Sequence, residues 1–142
     1  QHIETLSERA EELGRPLDGV LNLESVLNLN RQVSTALVNE IPEWLNSERF
    51  DADRLREINQ ELIGLERSFA NTEGLPFSEW QKSVYVATNP WSGYASWMIP
   101  GVRYVLEDDQ SDELMIREAQ KFQIAVSQFT ISLGEIYDLI RE

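Results

Sequence analysis

The chain has 142 residues, about one average domain, and carries 25 acidic against 12 basic side chains for a formal net charge of −13. That length supports a core without disulfide or metal, and that charge excludes nucleic acid and anionic membrane as partners, since both need a basic footprint. With no cysteine, and His2 as the one histidine, thiolate metal sites and nucleophile–histidine constellations are excluded too.

Apolar residues recur at steps of three and four in four places, the spacing that lines one face of a helix. The first stripe is Ile3, Leu6, Ala10 and Leu13, stopped by Gly14 and Pro16. The second runs from about Leu21 to Ile41 with Val26, Leu29, Val33 and Leu37 inward, and Pro42 is expected to kink or end it. The third is Leu55, Ile58, Leu62, Leu65 and Phe69, with Asp51 as N-cap. Next comes a stretch from Leu75 to Glu107 that breaks the helical pattern and holds seven of the thirteen aromatic residues. Inter-helix connections in bundles usually run about 2–8 residues, so this one is an insert rather than a connector. Within it Ser83 to Ala87 alternates like a strand, Asn89-Pro90 marks a turn, and Pro100-Gly101 starts a short helix over Val102 to Leu106. The fourth stripe is Met115, Ala119, Phe122, Val126, Phe129, Leu133, Ile136 and Ile140, with Asp112 placed to cap its start.

These patterns predict an all-α protein: a four-helix bundle with a long aromatic-rich insert between the third and fourth helices, residues 1–142 forming one domain. No apolar run approaches the roughly 20 residues that cross a bilayer. The chain opens at Gln1 already within a helical pattern, and we expect a domain excised from a larger chain. Ile124 and Ile131 lie off the main stripe of the last helix, seven residues apart on one face, with Tyr137 nearby. Two readings stand: the helix is buried on two sides, or this second face meets another copy of the chain.

The acidic clusters Glu11-Glu12, Glu107-Asp108-Asp109 and Asp112-Glu113 fall at helix ends or on polar faces and read as solvated surface. The alternating acidic pattern of a calcium loop and the glycine-rich turn of a phosphate loop are both absent. The chain alone is therefore not expected to be an enzyme.

Read in order, Leu65-Glu66-Arg67-Ser68-Phe69, Gly74-Leu75-Pro76, Ser83-Val84-Tyr85-Val86-Ala87, Ser92-Gly93-Tyr94 and Ile99-Pro100-Gly101-Val102 precede a long final helix. This series resembles the transferrin-receptor-like dimerisation domain, the C-terminal helical module of glutamate carboxypeptidase II and related zinc peptidases. The likeness is strongest from about Leu62 to Glu142. It implies a four-helix bundle that forms a homodimer and packs against a peptidase domain of the same parent chain. That domain, not this one, would hold the zinc, so no cofactor is expected here. It also implies an exported setting: periplasmic, secreted or part of an ectodomain.

In glutamate carboxypeptidase II the tip of the insert supplies a lysine–tyrosine pair to the substrate's terminal carboxylate. The resemblance places that pair on Gly93 and Tyr94, with Ser92 beside them. The tyrosine is present and the lysine is not, so a preference for acidic C-terminal residues does not carry over. Tyr94 is then either a wall of the substrate pocket or a packing residue of the loop. Trp80, Trp91 and Trp97 are expected to dock the loop, each able to bury 150–250 Å². A competing reading is a free-standing helical protein whose aromatic loop holds a small ligand or peptide.

Overall fold

The computed structural model describes residues 1–142. Five helices and one small sheet follow in order: α1 (His2–Glu12), α2 (Glu24–Leu45), α3 (Ala52–Gly64) with a 3-10 extension (Leu65–Phe69), β1 (Val86–Thr88), β2 (Ser96–Met98), α4 (Pro100–Glu107) and α5 (Asp112–Arg141). The chain is mostly helical, and all four apolar stripes became helices. The expectation of an all-α fold is corrected by the two-stranded sheet inside the insert.

The chain divides into two compact units, Gln1–Asn22 with Phe69–Ala125, and Leu23–Ser68 with Val126–Glu142. The four stripes are thus shared between two cores. In the second unit, Leu37 and Trp44 of α2, Ile58 of α3, and Leu133, Ile136 and Ile140 of α5 form one buried cluster. In the first, Leu6 and Ala10 of α1, Val102 and Val105 of α4, and Met115, Ala119 and Phe122 of α5 are buried.

Local chemistry sets the element ends. Gly14 follows α1 in the left-handed region, at φ +70°, where glycine pays no Cβ penalty. Asp51 caps α3 as expected, its carboxylate accepting from the amides of Asp53 (2.7 Å) and Arg54 (3.0 Å). Pro42 does not end α2, which continues to Leu45. Pro42 is on the exposed side, and Trp44, 1% exposed, anchors the turn beyond it. Leu29, expected inward, is 52% exposed. At 3.6 residues per turn it lies about 80° from Leu37. Asn30 takes the inward place instead, its Nδ2 donating to Thr130 Oγ1 at 3.1 Å.

The start of α5 is capped by Ser111, whose Oγ accepts from the Leu114 amide at 3.2 Å. Asp112 instead accepts from Arg15 at 2.9 Å. The predicted strand over Ser83 to Ala87 is confined to its end. The Ser83 hydroxyl takes the amides of Tyr85 and Val86, a local bond that competes with ladder pairing. Pro100 is the first residue of α4, where its missing amide costs nothing. No helix is long and apolar enough to cross a membrane.

Candidate functional site

Ser92, Gly93 and Tyr94 lie at the tip of the insert, and Ile124 and Ile131 lie on an exposed face of α5. The tip is the hairpin joining β1 to β2, registered Val86 to Met98, Ala87 to Trp97 and Thr88 to Ser96. Asn89 organises the turn. Its Oδ1 accepts from the amides of Trp91 (2.8 Å) and Ser92 (3.1 Å), while its own amide donates to Ala95 O at 2.7 Å. Gly93 sits at φ +69°, and a Cβ there would meet open space. The Ser92 hydroxyl accepts from the Tyr94 amide at 3.4 Å. Tyr94 itself is 99% exposed.

The three tryptophans behave differently. Trp97, in β2, is buried at 4% exposure, whereas Trp91 is half-exposed and Trp80 is 81% exposed. Trp91 meets Trp97 edge-on, with centroids 4.9 Å apart. Phe77 meets the same ring edge-on at 6.3 Å, and the Arg103 guanidinium lies 5.2 Å from its centroid. Edge-to-face pairs and a cation over an indole each stabilise beyond burial. Trp97 is therefore the post that braces the hairpin, Trp91 leans on it, and Trp80 projects into solvent.

The same unit holds two sets of charged contacts, one of them at Glu107, expected from the sequence to be solvated surface. Arg9 clasps Glu107 with two hydrogen bonds, Nε to Oε1 at 3.1 Å and Nη2 to Oε2 at 2.9 Å. Those bonds hold the Glu107 carboxyl below its ordinary range; burial opposes them, and the charges of Arg9 and Arg103 add to the lowering. The Glu118 side chain is 1% exposed and meets Lys121 Nζ at 3.0 Å; the same ammonium reaches Glu73 at 3.0 Å. An i, i+3 spacing gives no sign of such burial, because surface pairs share it. A shallow cleft of about 270 Å³ runs beside α1 and α4, lined by residues including His2, Thr5, Arg9, Met98 and Arg103. It is not at the insert tip.

On α5, Ile124 and Ile131 are 57% and 61% exposed. Gln120 and Gln128 are exposed on the same side, so the middle of this face carries no charge in a chain whose net charge is −13. Tyr137 is not brought together with them. It lies roughly 120° around the helix from Ile131 and packs against the cluster of α2, α3 and α5. Its hydroxyl donates to Glu40 Oε1 at 3.0 Å and accepts from Arg141 Nη1 at 2.6 Å.

A family model described as the transferrin receptor-like dimerisation domain matches residues 19–134 of this chain. No curated protein matches.

Proposed function

Since this chain belongs to the transferrin receptor-like dimerisation domain family, we propose that it is the homodimerisation module of a glutamate carboxypeptidase II-like zinc peptidase, non-catalytic by itself. The observation that carries the dimer reading is the exposed face of α5, whose middle bears two isoleucines and no charge. Two copies each bearing −13 repel one another, and they approach most easily where neither presents charge. Sedimentation or light scattering at micromolar concentrations tests this. We expect a dimer, weakened at least tenfold by Ile124→Asp, which places a carboxylate in the contact without touching the core. A strict monomer throughout that range overturns the reading.

The insert then docks on the peptidase domain of the parent chain and brings Tyr94 to the rim of its pocket, with Ser92 and Gly93 forming the approach. Exposure of Trp80, and of Trp91 and Tyr94 on a hairpin braced by Trp97, supports this. Zinc would reside in the peptidase domain alone, and the parent would be exported. In that parent, Tyr94→Phe should raise KM while leaving kcat unchanged, as expected for a hydroxyl that only binds substrate. An unchanged KM removes Tyr94 from the pocket. A ligand pocket of the module's own is less well supported, because the exposed rings do not line the cleft beside α1 and α4.

A further inference from the structure

We propose that α5 packs antiparallel against α5 of a second copy, about a two-fold axis passing between Ser127 and Gln128. The inference rests on the dimer reading above and specifies its geometry. A two-fold contact is self-complementary: where residue i meets j, j meets i. Ile124 and Ile131 lie equally far on either side of that midpoint, so each isoleucine meets the other from the second copy. The same operation places Gln120 opposite Glu135, and Arg117 opposite Asp138. Gln120, Glu135 and Asp138 are exposed, and the Arg117 side chain is 58% exposed.

Charge chooses between the two ways of pairing the helices. In the antiparallel pair, each Arg117 faces an Asp138, and each Gln120 amide can donate to a Glu135 carboxylate. Both contacts occur twice. In a parallel pair every residue faces its own copy, setting arginine on arginine at 117, glutamate on glutamate at 135 and aspartate on aspartate at 138. The antiparallel pair has one unfavourable match, Glu113 against Glu142. A parallel pair sets glutamate on glutamate at both 113 and 142 as well, so this match does not favour the parallel arrangement.

The chain has no cysteine, so single cysteines report without background. With Gln128→Cys, oxidation should link two copies through residues next to the axis. With Ile124→Cys it should not, because those two positions stand about 10 Å apart along the helices, beyond the 4.4–6.8 Å Cα separation usual for a disulfide. Arg117→Asp or Asp138→Arg alone should weaken the dimer about three- to tenfold, and the double swap should restore it. A dimer in sedimentation that links through Ile124→Cys and not Gln128→Cys overturns the antiparallel pairing and leaves the dimer reading standing. So does a double swap that fails to restore affinity. A strict monomer overturns both.

Discussion

At Gly74 the backbone runs at φ +80°, and an added Cβ would collide with the backbone of Glu79. At Gly14 the backbone is equally left-handed, but the space beside it is open. The two positions therefore separate conformational cost from steric cost. Gly14→Ala should destabilise by about 1 kcal/mol, the left-handed penalty alone. Gly74→Ala should cost at least about 3 kcal/mol, because backbone atoms must also move. Urea unfolding of both variants checks this, and equal losses would refute the steric argument. Glu107 offers a test of charge. Arg9 holds its carboxyl below the ordinary range, so the folded state favours the carboxylate. The stabilisation is therefore complete above the unfolded value of about 4.3 and is lost as pH falls through the lower folded value. Glu107→Gln should flatten the dependence of the urea midpoint on pH between about 5 and 3. An unchanged profile would mean that the Arg9 clasp adds nothing.

Among the elements, α2 keeps a proline three residues before its end. Pro42 cannot donate to Val38 O, and its ring crowds that turn. Because Pro42 is exposed, Pro42→Ala restores the bond without disturbing the buried cluster. It should stabilise by about 1–2 kcal/mol, the gain being partly offset by the greater freedom of the unfolded chain. A lower melting temperature would show instead that the proline is needed to seat Trp44. The element ends also show why some sequence signals are stronger than others. Asp51 caps α3 because a carboxylate immediately before a helix has free amides in reach. Asp112 sits where the same logic applies, yet Arg15 takes its carboxylate and Ser111 becomes the cap. That partner is 97 residues away in the chain, beyond any local pattern.

For the whole molecule, net charge dominates solution behaviour. A dimer of chains at −13 each is opposed by long-range repulsion, which salt screens with a Debye length of about 10 Å at 0.1 M. Raising salt from about 10 to 150 mM should therefore tighten the dimer, read as a lower dissociation constant in sedimentation. A looser dimer would mean that cross-subunit ion pairs outweigh the net charge. The sequence by itself determined the helical stripes, the Asp51 cap, the aromatic insert, and the order of motifs that placed the chain in its family. Each of these is periodic or local, and so is written in neighbouring residues. Only the tertiary structure decided that the stripes divide between two units, that Trp97 is buried while Trp80 is not, and that Tyr137 turns to Glu40 rather than joining Ile124 and Ile131. Those outcomes depend on which distant groups compete for the same side chain, and a helical period records only that a face is apolar, not what covers it.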